Sequence, residues 1–300
     1  MRIGVRAPNH LGDALMAMPT IRGLTTLGPV EVRGPAFLPT IYRDLDVTYG
    51  KPGRWGGVDA VVLLAPSLRV GLEAIGVPRR VGWPTDLRRP LLTDVVDARG
   101  HRREAMAALG RVLGAEPVGA PTFTLRAGET GPDVPEGHLG LNPVVKGDST
   151  RAWGRLSEVA ERWAGPVVAY AGPGEGERLT APARALRCVG TDLVAFAAAL
   201  QRCTVFLSND AGAAHFAAAC GVPTVVVFTS TSPETTGPLG AVPVFGVGPP
   251  CRPCLKRSCS VGLGCHDIEV DAVLAAVQRA VPGRIVHAGG GRMEPTEAGR

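Results

Sequence analysis

Short apolar runs alternate along this chain with longer segments in which apolar side chains recur every three to four residues. In the first half, the runs at residues 3–5, 30–32 and 60–64, with Val81 as a further candidate, read as buried strands. The segments 14–24 and 37–45 read as helices, and a helix over 101–113, with Ala105, Ala108, Leu109 and Val112 on one face, closes the series. Residues 127–138 interrupt the pattern with Gly, Pro and charge and predict a linker. A second series follows, with strands at 139–142, 167–170, 204–207 and 224–228. Its helices fall at 155–163, 192–201, 213–219 and Val270–Ala280. Pro282-Gly283 ends the last helix, and 285–300 predict a disordered tail. Alternation of this kind argues for parallel, doubly wound sheets. Taken alone, it permits either two domains, 1–135 and 136–284, or one larger sheet.

Composition narrows the class. With 300 residues and 45% hydrophobic content the chain can build two cores of ordinary size. No apolar run approaches the ~20 residues of a membrane span. Strand character from the first residues leaves no room for a signal peptide, so a cytoplasmic protein is expected. The net charge of +5 is uneven: residues 1–135 carry 17 basic and 13 acidic side chains, the remainder 15 and 14. Arg79-Arg80, Arg88-Arg89 and Arg102-Arg103 contribute much of that excess. They read either as solvated surface or as a face for an anionic acceptor at the membrane's inner surface. Aromatic content of 5% and the absence of a basic helix exclude a nucleic-acid module.

Two strand-to-helix turns carry the candidate chemistry. Leu11-Gly12-Asp13 follows the first strand, and Ser208-Asn209-Asp210-Ala211-Gly212-Ala213-Ala214-His215 follows the run at 204–207. Ligands of doubly wound sheets bind outside the carboxyl ends of the strands, where free N–H groups and the helix dipole favour a diphosphate. Gly12 and Gly212 would let a ligand approach the backbone, and His215 would face it from the first helical turn. The plainer reading has Asp13 and Asp210 capping their helices and His215 satisfied in the core. Glu175, after the second strand of the C-terminal half, stands where a carboxylate often binds ribose, or in a solvated loop. Thr229 and Ser230 follow the run at 224–228 and offer hydroxyls to a phosphate or sugar. Trp153 reads as packing.

The ordered segments Pro8-Asn9-His10-Leu11-Gly12-Asp13, Leu141-Asn142-Pro143 with Arg151-Ala152-Trp153-Gly154, the Asn209–Pro223 stretch, and Gly237-Pro238-Leu239-Gly240 span most of the chain. Their order and spacing resemble the family 9 glycosyltransferases, whose best-known members are the ADP-heptose:lipopolysaccharide heptosyltransferases. The resemblance implies a GT-B architecture, two Rossmann-like domains facing across a cleft, the first binding the acceptor and the second the nucleotide-sugar. It implies inverting transfer of heptose from ADP-heptose to an anionic lipopolysaccharide inner-core acceptor, with Asp13 as catalytic base and no cofactor required. Gly12, Lys146, Arg151, Glu175, Asp210, Ala211, Gly212, His215 and Thr229 form the expected donor site. The family's lysine in the K-x-W-P segment corresponds to Arg151, a departure that keeps the charge and changes its shape. Lys146, five residues earlier, is the alternative phosphate ligand, and Gly154 replaces the segment's proline. Another nucleotide-sugar or acceptor, a sugar-nucleotide 2-epimerase, and a non-catalytic binding module with a decayed core are the competing readings.

Cys188, Cys203 and Cys220 stand singly in apolar contexts and read as buried thiols. Cys251, Cys254, Cys259 and Cys265, in a Gly/Pro-rich loop over 249–266, have a spacing that suits a structural zinc; reduced thiols or disulfides are the alternatives.

Overall fold

Apolar runs too short for helices pair side by side as strands, and the amphipathic segments between them cover the resulting sheets. In the computed structural model, which describes residues 1–281 apart from Asp148, Leu255 and Arg257, two such sheets form. The tail expected at 285–300 lies outside the described residues. The first half runs β1 (Ile3–Arg6), α1 (Leu11–Thr25), β2 (Val30–Arg33), α2 (Leu38–Ile41), β3 (Thr48–Gly50), β4 (Ala60–Leu63), α3 (Leu68–Glu73), β5 (Arg79–Gly82), β6 (Asp94–Val95) and α4 (Arg102–Arg111). The second runs β7 (His138–Asn142), α5 (Leu156–Glu161), β8 (Val167–Ala171), β9 (Leu186–Val189), α6 (Leu193–Leu200), β10 (Cys203–Asn209) and α7 (Gly212–Ala219). It ends with β11 (Thr224–Val227), α8 (Pro233–Thr236), β12 (Val242–Val244) and α9 (Val270–Ala280).

The strand orders are β3-β2-β1-β4-β5-β6 and β12-β11-β10-β7-β8-β9, every pair parallel. Numbered from its own first strand, each sheet therefore has the order 3-2-1-4-5-6 of a dinucleotide-binding unit. The alternative of one larger sheet is excluded. In each sheet the order in which strands are added reverses between the first and fourth strands, β1/β4 and β7/β10, and the crevice at that switch is where such sheets take ligands. The central strands are buried on both faces, with Val5 registered between Val32 and Val62 and Leu207 between Leu141 and Val225.

One hydrophobic cluster runs through both halves, from Ile3, Val5 and Ile21 to Tyr170, Phe206 and Phe216. Its bridge is the pairing of α1 with α7. The segment joining the halves adds to it: the Phe123 ring packs tilted against Phe216 with centroids 4.9 Å apart, and the Phe123 N–H donates to the Ala219 carbonyl. His138, placed by the sequence in the linker, instead begins β7; it is fully buried, and its Nε2 lies 2.8 Å from the Tyr170 hydroxyl. The helix expected over 37–45 shortens to the single turn α2. Tyr42 leaves helical geometry there, and its buried hydroxyl donates to the Ala14 carbonyl of α1.

Candidate active site

A cavity of about 400 Å³ opens between the two sheets at their reversal points. Asp13 reaches it from the turn after β1, Asp210 through Gly212 from the turn after β10, and Asn142 from the end of β7. The first half thus supplies one wall and the second half the other.

The two helix starts touch. A Cβ added at Gly12 would lie 2.8 Å from Cδ2 of His215, and one added at Gly212 would lie 3.1 Å from Cβ of Leu11. These glycines let α1 and α7 approach each other, and both also line the cavity. Gly12→Ala should destabilise the fold by about 1–3 kcal/mol, because the added methyl would overlap the buried imidazole of His215. Urea denaturation measures this, and a midpoint equal to wild type would show the contact to be loose.

Neither aspartate caps its helix. The N-cap positions are His10 and Ala211, both without a side-chain cap bond. Asp13 lies inside the first turn of α1, partly exposed to the cavity, with Nε of Arg102 from α4 at 3.7 Å. Asp210 is buried, and its Oδ2 accepts from the Thr236 hydroxyl at 3.0 Å and faces Nη2 of Arg151 at 3.4 Å. Nη2 also donates to the Asp210 carbonyl. A buried carboxylate thus holds the guanidinium at the cavity wall while Nε, itself buried, has no partner among the described residues. Lys146 lies exposed on the same wall with no ion-pair partner among the described residues. Burial pushes the His215 pKa down against the opposing pull of Asp210 and Asp13, so the imidazole is neutral near pH 7 and hydrogen-bonds the Thr236 backbone. Positive charge at this wall therefore belongs to Arg151 and Lys146.

The residues around Arg151 explain its placement. Asn209 accepts from the Trp153 N–H with Oδ1 and donates to the Pro143 carbonyl with Nδ2, clamping the 143–153 segment onto the end of β10. Trp153 is buried in the second core, as packing requires. Thr229 does not reach the cavity: it is fully buried, and its hydroxyl donates to the Thr150 carbonyl, which corrects its expected donor-site role. Ser230 is likewise turned inward, toward the Thr150 hydroxyl. Glu175 does line the cavity, with Oε2 accepting from the Gly172 N–H.

The cysteine loop departs from expectation. Cys265 is buried, while Cys251 and Cys259 face solvent, and the Cys259 sulfur accepts from the Val261 and Leu263 N–H groups. Among the described residues no three Cys, His, Asp or Glu side chains converge on a metal position, so Cys251, Cys254, Cys259 and Cys265 do not assemble the expected zinc site. The loop instead packs against Thr150, which donates to the Lys256 carbonyl and whose own carbonyl lies 2.9 Å from Nε2 of His266. It buttresses the turn that carries Arg151. Of the single cysteines, Cys188 is buried and Cys203 and Cys220 are half-buried.

Three residues escaped the sequence reading. Thr236 orients Asp210. His101, the N-cap of α4, accepts from the Arg103 N–H through Nδ1 and places Nε2 3.0 Å from the Gly237 carbonyl, linking the halves beside the site. Asn142 lines the cavity with a buried Oδ1 that has no partner among the described residues, while Nδ2 donates to the Tyr170 carbonyl. The Leu141-Asn142-Pro143 segment was the available signal for Asn142, and Thr236, at the end of α8, directly precedes the Gly237-Pro238-Leu239-Gly240 segment; His101 gave none.

Two dinucleotide-type sheets with a shared crevice, a carboxylate on one wall and an arginine on the other define a GT-B fold. The profile of Glycosyltransferase family 9 (heptosyltransferase) matches residues 167–263. The lipopolysaccharide heptosyltransferase 1 of Pseudomonas aeruginosa is 39% identical over 69 residues, 23% of this chain and 19% of that protein, so the match spans about a fifth of the relative's length. The structure of E. coli ADP-heptose LPS heptosyltransferase II superposes with a TM-score of 0.73 at 21% identity, covering 93% of this chain and 98% of that one. E. coli heptosyltransferase WaaC with ADP-2-deoxy-2-fluoro heptose gives 0.65 at 14% identity, covering 93% and 99%. The family 9 match thus covers about a third of the chain, within its second half, and the likeness in fold extends over both halves.

Proposed function

We propose that this protein is an inverting glycosyltransferase that moves a heptosyl group from ADP-heptose to a lipopolysaccharide inner-core acceptor. The observation that carries the reading is the division of the cavity: a solvent-accessible carboxylate, Asp13, on one wall, and Arg151, anchored by buried Asp210, on the other. The first half, about residues 1–135, takes the acceptor, and the second, about 136–284, takes the nucleotide-sugar.

In this mechanism the acceptor hydroxyl approaches the anomeric carbon from the Asp13 side. Asp13 takes its proton as the new C–O bond forms and the bond to the diphosphate breaks. Arg151, Lys146 and the free N–H groups at the start of α7 meet the charge that develops on the departing diphosphate. Asp210 is occupied by Arg151 and Thr236, so Asp13 acts as base in a single displacement, which inverts the anomeric centre. Asn142 and Glu175 offer acceptor oxygens toward the nucleoside, between the ends of β7 and β8. No cofactor enters any step. The ligands named for the two relatives in E. coli support the donor; the acceptor rests on the name of the Pseudomonas relative. A site of action at the inner face of the cytoplasmic membrane follows from such an acceptor, and no helix among the described residues is long and apolar enough to cross it.

Purified protein incubated with ADP-heptose and a panel of inner-core acceptors should release ADP and yield a product heavier by one heptosyl unit in mass spectrometry. Product formed only from another nucleotide-sugar would overturn the donor. No transfer from any nucleotide-sugar would overturn the activity.

A further inference from the structure

Among the described residues, the first half lines the cavity with three polar side chains: Asn9 and His10 from the turn after β1, and Asp13 from the helix that this turn leads into. The mechanism above uses Asp13 alone. Asn9 is exposed, yet its side chain is held from behind. Its Oδ1 accepts from Nη2 of Arg6 at 3.1 Å, and Nη1 of the same guanidinium donates to the Ala7 carbonyl at 2.6 Å.

Arg6 ends β1 and is buried. Its guanidinium lies across the carboxyl end of the first sheet. A Cβ added at Gly34, just past β2, would sit 3.4 Å from Nη1, and Oε2 of Glu73, at the end of α3, faces Nε at 3.6 Å. The other Glu73 oxygen faces Arg69 at 3.4 Å. Burial pulls the Arg6 pKa down, and Glu73 opposes that pull. A buried ion pair gains little net stability, because desolvating both charges offsets their attraction. What this pair supplies is direction. A guanidinium has donors and no acceptor, so an amide bonded to it must turn its oxygen inward. Nδ2 of Asn9 is left with two N–H groups that make no hydrogen bond among the described residues.

We propose that Asn9 binds the acceptor sugar, its N–H groups donating to an oxygen beside the hydroxyl that Asp13 deprotonates. Arg6, backed by Glu73, is the positioning residue that keeps those donors turned outward. The contact rests on the transferase reading. It belongs to the acceptor because Asn9 shares a wall with Asp13, whereas Arg151, Lys146, Asn142 and Glu175 line the cavity from the second half. Ring, hydroxyl and carboxylate oxygens of a sugar all accept from an amide N–H. An amide already fixed by Arg6 loses little freedom on binding, so more of the hydrogen bond shows as affinity.

Transfer kinetics at saturating ADP-heptose, with an inner-core oligosaccharide freed of its acyl chains as acceptor, test the contact beside calorimetric ADP titration. Asn9→Ala should raise the KM for the acceptor about 3- to 10-fold, the equivalent of one hydrogen bond, and leave kcat and the Kd for ADP near wild type. Asn9→Asp keeps the oxygen that Arg6 binds but has no N–H, and should be impaired at least as much. Arg6→Lys keeps a charge for Glu73 and loses the fork that joins Ala7 to Asn9. It should raise the same KM by a similar factor, with a thermal midpoint near wild type. In the Asn9→Ala background it should add little, because the two residues act through one contact. An unchanged acceptor KM in Asn9→Ala would overturn the proposal. So would a raised Kd for ADP without a raised acceptor KM, which would move Asn9 to the donor. Effects of Arg6→Lys and Asn9→Ala that simply add would overturn the positioning role of Arg6. Wild-type protein that transfers no sugar would remove the transferase reading and this contact with it, an outcome distinct from normal wild-type transfer with unaffected variants.

Discussion

Asp13→Asn should lower kcat by about 10²–10⁴-fold while leaving ADP affinity close to wild type. Asparagine keeps the shape of the side chain but cannot take a proton from the acceptor hydroxyl. The fold should tolerate the change, because Asp13 caps nothing and its pairing with Arg102 at 3.7 Å is half open to solvent, where such pairs contribute little. Asp13 stands on the wall opposite Arg151, so the loss belongs in the chemical step. Steady-state turnover read beside calorimetric ADP titration separates the two quantities. Near-normal turnover would remove Asp13 from the mechanism; a large loss of ADP affinity would move it to the donor side.

Arg151→Ala should raise the Kd for ADP by about 10- to 150-fold, the equivalent of a charge-assisted hydrogen bond of roughly 1.5–3 kcal/mol. The structure adds a second consequence. Asp210 is 2% exposed, and without Arg151 it keeps the Thr236 hydroxyl but loses its counter-charge, so Arg151→Ala should also lower stability. Asp210→Asn in the Arg151→Ala background should return part of that stability without restoring ADP affinity. Arg151→Lys should recover much of the binding, since it restores a compact charge at the position the family fills with lysine. A large loss in Lys146→Ala with a silent Arg151→Ala would transfer the phosphate role to the loop lysine. If neither substitution changes the Kd, the diphosphate binds elsewhere.

The strands that escaped the sequence reading share one property. β3, β6, β9 and β12 are the edge strands of the two sheets, and all four are short, with exposed positions. A strand covered on both faces must be apolar throughout and announces itself as a run; an edge strand is half solvated, and β12 even carries Pro243. Interior strands such as β4 and β11 were legible for the same reason that they are interior. The turns that hold Asp13 and Asp210 were legible as well, because ligands of such sheets bind at the carboxyl ends of the strands, whereas Arg151, nine residues past β7, came only from the resemblance.

The amino-acid sequence by itself determined the repeated strand–helix units, the parallel sheets they form and the turns that hold the candidate chemistry. All of these depend on local periodicity and on residues a few positions apart. Only the tertiary structure decided what those residues do to one another. It packed Gly12 against His215, 203 positions away, and gave Asp210 to Arg151 and Thr236 rather than to its own helix. It turned the Thr229 hydroxyl to the Thr150 carbonyl, merged the two halves around α1 and α7, and set the Cys259 sulfur against backbone N–H groups. Each of these outcomes depends on which distant groups come within about 3–4 Å, the range over which hydrogen bonds and close packing act. Spacing along the chain carries no record of that distance.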